Sequence, residues 1–215
     1  MDRLKKNIPA ILTLGALLAT TSVAALAQSG DGSDPRPDAD SPQATSIEQE
    51  ASDAMAVLRR PRVATDSLPT EIVERLDVHA DYGMNPELSR RSIVDASNSL
   101  YVVPGSGYVC VALTVGEGVN GTCAQTADLV AGRSGAATVT LPGGPVGIYG
   151  LVPDEVDSVV VATGESSTTT IEAVNNAYFI AVPEGTVLRS VSYAGPSGTV
   201  AFPIYDPALA MHSGG

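Results

Sequence analysis

Ser158-Val-Val-Val-Ala-Thr-Gly-Glu-Ser-Ser-Thr-Thr-Thr-Ile-Glu-Ala-Val-Asn-Asn-Ala-Tyr-Phe-Ile-Ala-Val182 is the stretch that decides the fold. Its β-branched and aromatic runs are interrupted at Thr163-Gly164-Glu165-Ser166 and at Asn175-Asn176, residues that suit tight turns. This predicts strands over Val156–Ala162, Thr168–Val174 and Ala177–Val182. In the second, alternation turns Thr168, Thr170 and Glu172 to water and Thr169, Ile171 and Ala173 inward. The third is apolar on both faces, which predicts a central strand.

The same grammar extends on both sides. Pro104-Gly105-Ser106-Gly107 joins strands Leu100–Val103 and Tyr108–Thr114, and Pro142-Gly143-Gly144-Pro145 joins Ala136–Leu141 and Val146–Leu151. Val187–Tyr193 and Thr199–Ile204 follow, separated by Gly195-Pro196-Ser197-Gly198. Nine strands joined by short turns and lacking intervening helices predict a mainly β fold. The expected form is an antiparallel β-sandwich or a partly open barrel, preceded by one or two short helices.

Helical spacing occurs upstream. Ile47, Ala51, Ala54, Met55 and Leu58 mark one face of a helix over Thr45–Arg60, with Thr45/Glu48 or Ser46/Gln49 as a capping box and Pro61 as the stop. Asp66–Leu76 repeats the pattern on a smaller scale, and Asn85-Pro86-Glu87-Leu88 predicts a further helical turn through Ser92. The expected organisation is a signal peptide at 1–27, an acidic linker at 28–44, a helical lead-in at 45–99, an antiparallel β domain at 100–206 and a flexible tail at 207–215.

The signal-peptide reading rests on Arg3, Lys5 and Lys6 ahead of an uncharged run from Ile8 to Ala27 that ends in Ala25-Leu26-Ala27. Cleavage near Ala27 sends the chain out of the cytoplasm; the competing reading is a membrane anchor through residues 8–27. Cleavage removes three cations and one anion, so the net charge falls from −12 to −14. That acidity argues against nucleic acid and anionic membrane as partners. Membrane contact is expected only if the N-terminal segment stays attached. A protein or a cell-envelope component is the expected partner class.

Three segments here resemble known sequences. Met55-Ala-Val-Leu-Arg-Arg-Pro-Arg-Val-Ala-Thr-Asp-Ser-Leu-Pro69 is similar to an LRRPR-x-A-x-D-x-LP segment of exported, uncharacterised proteins of high-GC actinobacteria. Gly150-Leu-Val-Pro-Asp-Glu-Val156 resembles their GLVPDGV segment, with Glu155 in place of the usual Gly, and Asn175-Asn176-Ala177-Tyr178 resembles the NN-x-Y/F that follows it. The resemblance spans most of residues 55 to 200. It implies export and a shared β-rich fold, and it implies no activity.

Few residues offer chemistry. Cys110 and Cys123 are the only cysteines, and in an exported chain they predict a disulfide closing the Gly-rich loop Gly116–Gly121. There is no C-x-x-C pair, no zinc spacing and no phosphate-binding glycine loop. No metal site or cofactor is expected. Gly132-Arg133-Ser134-Gly135 and Gly195-Pro196-Ser197-Gly198 do not complete the G-x-S-x-G of a serine hydrolase. Lysine stops at Lys6, which excludes amine catalysis in the body of the chain. His79 is the weak catalytic candidate, and His212 stands near the C-terminus.

Arg59, Arg60 and Arg62 are weak binding candidates. So is Arg189, which by alternation shares a face with Val187, Val191 and Tyr193. The expected function is a non-catalytic extracytoplasmic β module that binds a partner or serves the cell envelope. The alternative is a secreted hydrolase built around His79.

Overall fold

A computed structural model describes residues 42–76, 82–94, 98–164, 166–196 and 198–204, apart from the side chains of 42–45, 75 and 94. The fold is mainly β, with eleven described strands in three antiparallel sheets and no closed barrel. The first sheet has the order β1 (Arg90–Val94), β2 (Asn98–Gly105), β3 (Tyr108–Val115), β4 (Gly118–Gln125). The second is β5 (Ala136–Thr140), β6 (Val146–Leu151), β9 (Ala177–Val182). The third is β11 (Gly198–Pro203), β10 (Leu188–Gly195), β7 (Ser158–Thr163), β8 (Ser167–Glu172).

Side-chain parity stacks these sheets. On β6, Tyr149 and Leu151 join a core with Leu100, Val102, Val109, Val111 and Leu113 of the first sheet. The alternate residue Ile148 joins a second core with Val159, Val161, Leu188, Val191 and Tyr193 of the third sheet. On β9, Phe179 packs on the first core and Tyr178 lies within the second. The second sheet is therefore the middle of a sandwich-like stack, buried on both faces. This corrects the expected place of β9. Its apolarity on both faces comes from lying between two cores, while by backbone pairing it is the end strand of a three-stranded sheet.

Helices cover the rest. α1 (Pro42–Ala54) and α2 (Ala56–Arg59) bury Ile47, Ala51, Ala54, Met55 and Leu58; all but Ile47 lie in the first core. These five are the predicted face. The helix begins at Pro42, not Thr45, because a proline at the first helical position gives up an amide that has no partner there. α3 (Thr70–Leu76) packs Ile72 and Leu76 on the far face of the first sheet, against Tyr101, Val103 and Ala112. α4 (Thr126–Val130) inserts Leu129 into the first core.

Two strands lie where none was expected. The helical turn predicted through Ser92 stops after a single 3-10 turn at Pro86–Leu88, capped by Asn85, and β1 begins at Arg90. The predicted Gly-rich loop is the start of β4, reached from β3 by the two residues Gly116-Glu117. Cys110 and Cys123 are directly opposite in the β3–β4 ladder and are disulfide-bonded, with Cα atoms 3.9 Å apart. The bridge staples neighbouring strands and closes the ring that holds the β3–β4 turn. Gly121 permits this pairing, because a β-carbon there would press on the carbonyl oxygen of Val111.

The third sheet keeps its outer face in solvent. Thr169 is exposed despite its inward parity, since nothing covers that part of the end strand β8, while Ile171 and Ala173 do pack on the second core. A bulge in β10 between Leu188 and Ser190 resets the alternation. Leu188 is buried and Arg189 turns to solvent, so Arg189 does not share the face of Val191 and Tyr193. Asn175 and Asn176 do form a two-residue turn with positive φ, 49° and 63°. It makes one rung, Val174 to Ala177, after which β8 and β9 part into different sheets.

Within the second core, the Tyr178 hydroxyl is fully buried and has no hydrogen-bond partner among the described residues. Burial pushes its pKa well above the normal tyrosine value. Tyr178→Phe retains the ring and deletes the unpaired oxygen. The expected result is unchanged stability or a gain of up to about 1 kcal/mol in chemical denaturation.

Candidate functional site

The predicted Thr45–Arg60 helix breaks at Met55, whose backbone is extended (φ −145°, ψ 128°). Nothing local requires this. The first amides of α2 are drawn to side chains from two distant turns. Ala56 N donates to Asp154 Oδ1 at 2.5 Å, and Val57 N donates to Asn176 Oδ1 at 2.8 Å. α2 is thus capped in trans, with side-chain oxygens from other elements meeting the orphan amides of its first turn.

Those two side chains also bind each other and the chain around them. Asn176 Nδ2 donates to Asp154 Oδ1 at 2.9 Å and to Val152 O at 3.3 Å. Arg59 donates to Asp154 Oδ2 at 2.5 Å and to Ser52 O at 2.9 Å, fastening α1 and α2 to the turn after β6. Burial raises the Asp154 pKa, but the bonds from Ala56 N, Arg59 and Asn176 outweigh it and hold the carboxyl below its ordinary value. The turn reaches this position because Gly150 lets β6 pass close to Gly135 and the Tyr178 ring, where a β-carbon would overlap both.

A second cluster lies next to it. Asp66, fully buried, accepts both arms of the Arg60 fork, at 2.6 and 2.7 Å, together with Val63 N at 2.8 Å and Arg91 N at 2.8 Å. Four donors on one carboxylate, led by Arg60, hold its pKa far below the ordinary range against the opposing effect of burial. Ser89 Oγ donates to Asp66 O at 2.7 Å, and Arg90 Nε to Arg60 O at 3.0 Å. Arg90 is buried and spends its Nη1 on the carbonyls of Leu88 and Ser89; burial pulls its pKa below the usual arginine value. Ser92 Oγ closes the seam by donating to Val174 O at 2.5 Å, and Asn175 Nδ2 returns a bond to Ser92 O at 3.3 Å.

The sequence candidates distribute unevenly over this seam. Arg59 and Arg60 belong to it. Arg62 is a neighbour that donates to Ser67 Oγ at 3.1 Å. Arg189 is solvent-exposed on β10. His79, His212 and the proposed signal segment lie outside the described residues. Asp66, Asp154, Asn176 and Arg90 carry most of the bonds, and sequence reasoning did not select them. Their one sequence signal was position: Asp66 lies in the LRRPR-type segment, Asp154 in the GLVPD segment and Asn176 in the NN segment. The three stretches that carry the resemblance meet in space at this seam.

The chemistry available is correspondingly limited. Four donors occupy the Asp66 carboxylate, which leaves it no lone pair for a substrate or a cation, and three donors hold the partly exposed Asp154 carboxylate in its role as a cap. Ser89, Ser92 and Ser134 direct their hydroxyls at backbone carbonyls. Among the described residues, no group of three His, Cys, Asp or Glu side chains could hold a metal ion. A pocket of about 100 Å³ bounded by Arg62, Leu68, Val73, Pro86 and Glu87 is well below the several hundred Å³ of an ordinary ligand site. The arrangement locks the lead-in to the β layers. No family model, curated protein or solved structure matches the chain.

Proposed function

We propose that this protein is a non-catalytic extracytoplasmic β module that holds a protein or cell-envelope component. The observation that carries the reading is the internal pairing of the polar seam. Arg59, Arg60, Asp66, Asp154 and Asn176 spend their hydrogen bonds on one another and on backbone groups, as a structural clasp does. A catalytic centre instead leaves ionisable groups free to meet a substrate. The disulfide supports an oxidising compartment. Cleavage of the signal segment near Ala27 and kinship with exported actinobacterial proteins belong to the same proposal.

The test is a broad hydrolase screen of the purified protein alongside His79→Ala, with the mature N-terminus sequenced. The expected result is an N-terminus at Gln28 and no turnover by either form. A hydrolytic activity that His79→Ala abolishes would overturn the proposal.

A further inference from the structure

The outer edge of β8, in the third sheet, is left open by the described strands. Ala173 N donates to Asp157 O across the β7–β8 pair. The odd-numbered residues of β8 therefore direct their backbone groups at β7, and the even-numbered ones direct theirs outward. Val174 follows this rule, its amide going outward to Ala177 O. The N–H and C=O groups of Thr168, Thr170 and Glu172 thus face away from β7, and no described strand pairs with them.

Three of the other described edges are blunted. β1 has a bulge between Arg91 and Ile93, and the Arg91 backbone is taken by Arg60 and Asp66. β9 is met at its start by the Val174 rung, and β11 ends in Pro203. β8 has no proline, no cation and no bulge against β7, and Ser167, Thr168, Thr169 and Thr170 are all exposed. Such an edge is a template for another strand.

We propose that the occupant is β8 of a second copy of this chain, paired antiparallel about a two-fold axis at Thr170. The length of the open window fits this partner, and the register brings no two charges together. The register places Thr170 opposite its own counterpart and Glu172 opposite the second copy's Thr168. The one charge in the strand then meets a neutral hydroxyl, although the whole chain carries −12. The three outward residues are all used. The paired window ends where β8 begins at Ser167 on one side and at the Val174–Ala177 rung on the other. The result is a continuous eight-stranded sheet. The pairing is independent of what the module binds.

The experiment measures mass against concentration and reads the register by cross-linking. The wild-type protein should rise in light-scattering mass toward twice that of the monomer as concentration increases. Thr170→Pro should stay monomeric with an unchanged thermal melt, because it removes only an outward amide. Thr170→Cys should form an interchain disulfide on mild oxidation. An antiparallel hydrogen-bonded pair sets Cα atoms about 5.5 Å apart, within disulfide reach. Thr168→Cys, opposite Glu172, should not cross-link. A wild-type protein that remains monomeric at millimolar concentration would overturn the proposal. Equal cross-linking of Thr168→Cys and Thr170→Cys would do the same.

Discussion

Asp66→Ala should destabilise the fold by about 2–4 kcal/mol, because two seam amides lose their acceptor at about 1–3 kcal/mol each and the partly exposed Arg60 loses its counter-ion. For a chain of this size that lowers the thermal midpoint by roughly 4–16 °C. The reason is local and countable. Arg60 loses its bidentate partner, and the amides of Val63 and Arg91 lose their acceptor within the same seam. Arg60 keeps its bonds to the Pro61 and Arg91 carbonyls, so it stays in place as a charge without a counter-ion. Chemical denaturation of the variant measures the loss. A change below about 1 kcal/mol would mean that the seam does not hold the lead-in to the sheets.

The same carboxylate sets a pH dependence. Its folded pKa lies below the unfolded value of about 3.9, so its contribution is complete above that value. The contribution is lost as pH falls through the depressed folded pKa. Asp154, also held low, acts in the same direction. Stability should therefore fall steeply below about pH 4 in the wild type. Asp66→Asn, with no charge to titrate at that position, should show a shallower slope in urea midpoints taken from pH 6 to pH 2.

Asn176 should be the other sensitive position. Its φ of 63° lies in the left-handed region, and its side chain serves Val57 N, Val152 O and Asp154. Asn176→Ala adds backbone strain of about 1–2 kcal/mol to an orphaned buried amide costing about 1–3 kcal/mol. Asn176→Gly removes the strain and isolates the hydrogen-bond loss, so it should fall between alanine and wild type. Asn176→Asp keeps the acceptor for Val57 N but sets a second carboxylate where an amide donates to Asp154, and should be at least as harmful as glycine. Asn175→Gly should cost little, because Asn175 is exposed and makes one long bond. If glycine at 176 proves neutral, the trans cap of α2 contributes nothing.

Most of the strands were legible in the sequence because β-branched runs punctuated by Gly, Pro and Asn report local backbone geometry directly. β1 and β4 were not legible, for different reasons. Arg90-Arg91-Ser92 has no apolar alternation, and its strand is held by an arginine–aspartate cluster that becomes adjacent only on folding. β4 contains Gly118, Asn120 and Gly121, which weaken a strand in isolation; pairing with β3 and the Cys110–Cys123 bridge supply what they lack. The bulge at Leu188–Ser190 shows the limit of alternation. One extra residue inverts the assigned face, and with it the placement of Arg189.

The seam was partly legible. Arg59 and Arg60 stand together as a basic pair in an acidic chain, but no local pattern marks Asp66 and Asp154 as the acids that bind them. The break at Met55 depends on acceptors 98 and 119 residues away in the chain, so no local pattern encodes it.

By itself the sequence determined the antiparallel β character, the pairing of the two cysteines, the apolar helix face and the Asn175-Asn176 turn. Each rests on short-range preference, hydrophobic periodicity or a count. The tertiary structure decided which sheet lies in the middle and that β8 and β9 part after one rung. It also decided that Asp66, Asp154 and Asn176 converge on the broken helix. These depend on which faces come together, and burial rewards only faces that the folded chain has already brought into contact.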